Sequence, residues 1–254
     1  MLHDKGMTVS SLSRALGSQI SKELGKTGAT VIMCSSISRG ANYGIGKKGK
    51  THSQRSGARN IQGVAKFMHH MAETHRHINK LVDKLGYPFE RKTQDKRSHE
   101  ATQEDRKKVI DIDPGDTCRL LQSMISFGIN NGCSAREAGG RIINIASKSA
   151  IARNTSITVY GIAKSRLTTR TKEIALEHGD KNIRLYNFTL SSIFVRDRFS
   201  SATLSEGKKT TLENSRKMAG DSRQLFTIVA SRSTVNFAFA IHNTIVADGG
   251  TVKK

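Results

Sequence analysis

This sequence is short of acids, cysteines, prolines and long apolar runs, and each shortage narrows what the chain can be. Aspartate and glutamate number 21 against 42 lysines and arginines, leaving a formal net charge of +21. A field of that sign draws nucleic acid, anionic lipid, or acidic partners such as an acyl carrier protein or a phosphorylated cofactor. A solvated basic surface is the plain alternative. The three cysteines, Cys34, Cys118 and Cys133, have neither metal nor redox spacing. Their odd number argues against a disulfide framework and points to a reducing compartment, cytoplasm or mitochondrial matrix. No apolar run is long enough for a membrane-spanning helix. The opening residues MLHDKGMTVSSLS hold no apolar signal core, so no targeting segment is expected. Proline occurs twice, and Pro114 falls inside a helical pattern.

What is present alternates between strand and helix periods. Residues 7–34 read as strand, turn, helix, strand. Leu16, Ile20 and Leu24 mark the helix face and Gly28 its stop. Residues 35–60, rich in Gly, Ser and Lys, read as a loop. A helix is predicted over 62–76, a strand ending in a turn over 78–86, and a surface loop or polar helix over 87–108. A long helix is predicted over 104–130, bent or shifted by Pro114. The pattern then gives a strand at 141–146, a helix at 157–178 and a strand at 183–190. Loop and helix follow to 232, then a strand, HNTIVAD, and a Gly-Gly turn. Strands alternating with helices predict a parallel sheet covered on both faces, in a single domain.

The most informative stretch is 139–170, where Tyr160 and Lys164 sit one helical turn apart on the same face. Ser147 ends the strand thirteen positions before the tyrosine. A hydroxyl, a phenol and an ammonium that converge can protonate a carbonyl oxygen. An ordinary helix residue beside a solvated lysine is the other reading of the pair.

In order along the chain, KGMTVSSLSRALGSQISKELGKTGATV, LVDKLG, RKKVIDID, GGRIINIAS with YGIAK, NIRLYNFTLSSIF and IVADGG resemble the landmarks of the short-chain dehydrogenase/reductase family. NNGC followed by GGRIINIAS is similar to its 3-oxoacyl-(acyl carrier protein) reductase branch, including the type 8 17β-hydroxysteroid dehydrogenases. The resemblance implies an α/β Rossmann-like fold, a doubly wound parallel sheet flanked by helices. It implies a dinucleotide-binding half over 7–86 and a catalytic half over 104–254. It implies hydride transfer between a nicotinamide and a carbonyl or alcohol, and the similarity to that branch implies reduction of a 3-oxoacyl thioester in fatty acid biosynthesis.

By that resemblance Tyr160 is the acid/base, Lys164 favours its phenolate and holds the ribose, and Ser147 hydrogen-bonds the substrate oxygen. Asp113 stands where the family has a catalytic asparagine. Asp83-Lys84-Leu85-Gly86 replaces an Asn-Asn-Ala-Gly turn. The phosphate turn is Ser11, Arg14, Ala15, Leu16 and Gly17, with Ser11 and Ala15 at glycine positions. Ser36 and Arg39 follow the second strand, where NAD-specific members carry an acid. With Arg14 they favour NADP over NAD. Ser191-Ser192 replaces Pro-Gly near the nicotinamide carboxamide.

The family implies a dimer or tetramer through the helices around 104–130 and 157–178. A second reading is a weak or inactive dehydrogenase-fold subunit with a structural, nucleic-acid or partner-binding role. The basic run KKGKTHSQRSGAR lacks the interleaved aromatics that base stacking needs. His69, His70, His75 and His77 lack helical metal spacing, so no metal is expected. The sequons at Asn154 and Asn187 read as chance matches, since Asn187 falls in a buried strand.

Overall fold

The computed structural model describes residues 6–10, 16–35, 51–55, 78–83, 99–110, 115–130, 140–152, 158–191, 193–194, 220–232, 242–250 and 252. Seven strands form one sheet: β1 (Gly6–Ser10), β2 (Thr30–Ser35), β3 (Thr51–Arg55), β4 (Ile78–Asp83), β5 (Arg141–Ser147), β6 (Arg184–Leu190) and, near the C-terminus, β9 (Thr244–Ala247). Their order across the sheet is β3-β2-β1-β4-β5-β6-β9, and each neighbouring pair is parallel. The chain winds outward from β1 in one direction and from β4 in the other. This is the doubly wound arrangement, whose ligand crevice lies beyond the carboxyl ends of the strands at that reversal. Two-residue strands β7 (Ile193–Phe194) and β8 (Gly220–Asp221) pair separately.

Helices cover both faces. On one face α1 (Leu16–Lys26) and α5 (Ser222–Arg232) pack Leu16, Ile20, Leu24, Leu225 and Val229 onto Met7, Val9, Val31, Ile143 and Phe188. On the other, α3 (Asp116–Asn130) and α4 (Thr158–Glu177) pack Leu120, Leu121, Met124, Ile125 and Ile174 onto Leu81, Ile142 and Leu185. A further helix, α2 (Gln103–Ile110), packs against α4. The period-2 alternation along β5 and β6 feeds both clusters, so these strands are buried on two sides.

Local chemistry explains the element ends. The Leu16–Ile20–Leu24 face of α1 is buried as its spacing predicts. Gly28 then adopts φ 85, which only glycine takes without strain, and its N–H donates to the Gly25 carbonyl at 3.1 Å. At the start of α2, Thr102 Oγ1 accepts from the Asp105 N–H at 3.1 Å, while Asp105 Oδ2 accepts from the Thr102 N–H at 3.0 Å. This reciprocal capping satisfies two donors that the first turn leaves open.

Two sequence expectations are corrected. The long helix predicted over 104–130 is described as two helices, α2 ending at Ile110 and α3 beginning at Asp116; Pro114 lies outside the described residues. Residues 51–55, read as loop, form the edge strand β3, registered on β2 from Thr51 opposite Val31 to Arg55 opposite Ser35. The strands at 78–83, 141–147 and 184–190 stand where the pattern predicts them. The helix expected over 62–76 and the histidine group in and after it lie outside the described residues. Among the described residues no helix is long and apolar enough to cross a membrane, and no group of His, Cys, Asp or Glu could hold a metal.

The amino-terminal edge of the sheet is cationic. Lys80, Arg141 and Arg184 are register partners on β4, β5 and β6. Lys80 and Arg141 are buried. Burial, and then the Arg184 charge, lower the pKa of the Arg141 guanidinium below its usual value, while Tyr186 acts the other way.

Candidate active site

The opposite edge of the sheet carries the serine, tyrosine and lysine. Ser147 is the last residue of β5 and caps the short 3-10 turn Lys148–Ala150. Its backbone is extended (φ −139, ψ 155), and its Oγ accepts the Ser149 N–H at 3.3 Å. The Ser147 hydroxyl itself reaches Ser149 Oγ at 3.4 Å, a long bond that a better acceptor would displace. The capping N–H polarises the hydroxyl.

Tyr160 and Lys164 lie in the first two turns of α4. The four-residue spacing brings Lys164 Nζ over the Tyr160 ring, 5.6 Å from its centroid. Lys164 is only 2% exposed, while Tyr160 is half-buried. A solvated lysine is thus excluded. Desolvating an ammonium costs several kcal/mol, and the cation–π contact returns part of it.

Beneath α4 lies a polar seam that sequence reasoning missed. Asn144 Nδ2 donates to Thr171 Oγ1 at 2.7 Å, and Asn187 Nδ2 donates to Thr168 Oγ1 at 2.9 Å. Each threonine hydroxyl passes its own proton back along the helix, Thr171 to the Leu167 carbonyl (2.7 Å) and Thr168 to the Lys164 carbonyl (3.0 Å). Asn187 therefore reaches the backbone of Lys164 through one hydroxyl. The asparagines are register partners, and the same row extends to Asp83 on β4 and Thr244 on β9. The available signal was spacing: Lys164, Thr168 and Thr171 recur at four and three residues on one helical stripe. Asn187→Ala is expected to cost about 1–3 kcal/mol. Urea denaturation checks it, with the midpoint falling and the slope unchanged.

The cofactor turn is only partly described. Leu16 opens α1, and its side chain belongs to the apolar core, so only its backbone can face a phosphate. Gly17 follows it, buried, and its carbonyl accepts from Ser21 Oγ at 3.0 Å. The first N–H groups of α1 have no partner within the helix, which suits an anion. Ser11, Arg14, Ala15, Ser36, Arg39, Asp113 and Ser192 lie outside the described residues. Asp83 is the last residue of β4, buried, and beside Asn144.

With this geometry in place, three comparisons are informative. The short chain dehydrogenase family matches residues 5–194. A 7alpha-hydroxysteroid dehydrogenase of Bacteroides fragilis is 29% identical over 135 residues, 53% of this chain and 50% of that protein, so the match spans about half of the relative's length. A short-chain type dehydrogenase/reductase from Mycobacterium ulcerans superposes with a TM-score of 0.86 at 16% identity, covering 98% of this chain and 90% of that one. The ligand-free aldohexose dehydrogenase of Thermoplasma acidophilum gives 0.80 at 18% identity, covering 98% and 94%. The family match runs from before β1 through β7, three quarters of the chain, and the chain belongs to the short-chain dehydrogenase family.

Proposed function

We propose that this chain is an NAD(P)-dependent oxidoreductase acting between a carbonyl and its alcohol, with Tyr160, Lys164 and Ser147 as its catalytic residues. One observation carries the reading: a buried ammonium laid against the ring of a half-buried tyrosine, at the carboxyl edge of a doubly wound sheet. The donor set fits a dinucleotide, with helix N–H groups at α1 for phosphate and the Lys164 ammonium for ribose hydroxyls. A bound nicotinamide supplies the hydride.

The chain's own residues supply the proton and the orientation. Ser147 Oγ donates to the carbonyl oxygen and stabilises the charge that builds there. Tyr160 Oη gives its proton to that oxygen during reduction and takes it back during oxidation. The Lys164 ammonium, 5.6 Å from the ring centroid, holds a positive charge beside that proton transfer. Asp113 is proposed to help Lys164 from the family's asparagine position. Ser11, Arg14, Ala15, Leu16, Gly17, Ser36, Arg39 and Ser192 are proposed to line the cofactor, with Arg14 and Arg39 preferring NADP.

The finer reading is a 3-oxoacyl thioester substrate. The net charge of +21 supports it, because such a field concentrates an acidic acyl carrier. A dimer or tetramer through α3 and α4 is also proposed, supported by exposed Ile129, Ile162 and Leu176 on those helices. Titration with NADPH and NADH, followed by nicotinamide fluorescence, tests the core of this proposal. Saturable binding is expected, tighter for NADPH. No binding of either at about 1 mM, the upper end of ordinary KM values, would sink it.

A further inference from the structure

The turn after Ser147 and the helix of Tyr160 and Lys164 meet along a second stripe. Gly161 and Ser165 each follow one of those residues, so they form their own i, i+4 row on α4. A Cβ added at Gly161 would stand 2.9 Å from the Ser149 carbonyl oxygen. One helical turn on, the Ser165 hydroxyl donates to the Ala150 carbonyl at 2.7 Å. Two successive carbonyls of the 3-10 turn therefore rest on α4, one on a missing side chain and one on a hydroxyl. The third, that of Lys148, accepts the N–H groups of Ile151 and Ala152 at 3.0 and 2.8 Å. The turn is held as one piece, with Ser147 at its start.

Neither residue is explained by helix formation. Glycine inside a helix costs about 1 kcal/mol relative to alanine. Nor does Gly161 take a conformation that needs glycine: the positive-φ glycines among the described residues are Gly28, Gly249 and Gly250. What requires the absent side chain is the Ser149 carbonyl.

We infer that Gly161 and Ser165 are positioning residues, which dock the turn and so set the separation of the Ser147 hydroxyl from the Tyr160 phenol. The inference rests on the catalytic reading of Ser147 and Tyr160 given above. A methyl at Gly161 must lift the turn by a few tenths of an ångström, and errors on the order of 1 Å in a reacting geometry cost about a hundredfold in rate.

Two measurements on the full chain test this. In the first, Gly161→Ala is expected to lower kcat for carbonyl reduction ten- to a hundredfold, while the NADPH dissociation constant stays within about twofold. Ser165→Ala is expected to do the same more mildly, about tenfold, and decides the matter if the first variant does not fold. A kcat within twofold of the parent in both variants overturns the inference, and so does an NADPH affinity that falls as far as kcat.

The second needs no turnover. The chain has four tyrosines, so fluorotyrosine labelling gives few resonances, and Tyr160→Phe identifies the one of interest. Ser147→Ala is expected to shift the Tyr160 resonance in the parent and to leave it unmoved in the Gly161→Ala background. No shift in the parent, or an equal shift in both, overturns the docking role. An inactive parent that shows the coupling would instead refute the catalytic reading and leave the docking intact.

Discussion

Lys164→Met is expected to cut carbonyl reduction by orders of magnitude while leaving the protein folded. The ammonium is buried against the Tyr160 ring, 5.6 Å from its centroid, and methionine fills a similar volume without the charge. The proposed proton transfer by Tyr160 then loses its cationic neighbour. General acid–base catalysis contributes about 10²–10⁴-fold, so kcat/KM should fall by about that factor. Tyr160→Phe should lose the same factor with NADPH affinity nearly intact, because only the proton is removed. Steady-state kinetics and thermal denaturation on the two variants check the pair. A Lys164→Met protein that loses several degrees in Tm while keeping its turnover would show that the lysine serves the fold instead.

Phe188→Ala is expected to be among the most costly single changes in the described core, at about 3–5 kcal/mol. Phe188 is fully buried in the α1/α5 cluster, on a strand paired on both edges, with β5 and with β9. Two flanking strands leave the backbone little room to close a cavity of that size. The adjacent Asn187 faces the other side of the sheet, where it holds Thr168, and should cost less because it loses one hydrogen bond rather than a ring. Equilibrium denaturation of both variants gives the ordering. Near-equal losses would mean that the seam under α4, rather than the apolar cluster, dominates the stability of β6.

How much of this was legible depended on whether one physical signal acted alone. The α1 face could be read because Leu16, Ile20 and Leu24 share a four-residue period with a glycine stop. Strands β5 and β6 were legible as apolar runs, since helices bury both of their faces. The edge strand β3, THSQR, offers no apolar residue to read, because an edge strand can be held by its backbone alone. Helix α4 shows the mixed case. Its termini and its Tyr160–Lys164 pair were legible, but its buried stripe was not. That stripe combines Ala163, Leu167 and Ile174 with Lys164, Thr168 and Thr171, while Ile162 and Leu176 face outward. A burial pattern half polar inside and partly apolar outside has no clean period, so the seam came only with the structure. The same holds for Gly161, whose meaning lies in a carbonyl twelve residues earlier in the chain.

The strand order has a consequence for how this protein is made. Strand β1 sits between β2 and β4, yet β4 begins at Ile78, long after β1 ends at Ser10. During synthesis one edge of β1 finds β2 early, and the other stays open until β4 emerges. Parallel pairings of this range close large loops before they return any contact, which slows folding and prolongs the exposure of open strand edges. Lys80, Arg141 and Arg184 arrive only with β4, β5 and β6, each on a strand that is itself an edge until the next one pairs with it. Cations on a strand that is still an edge discourage its association with other chains.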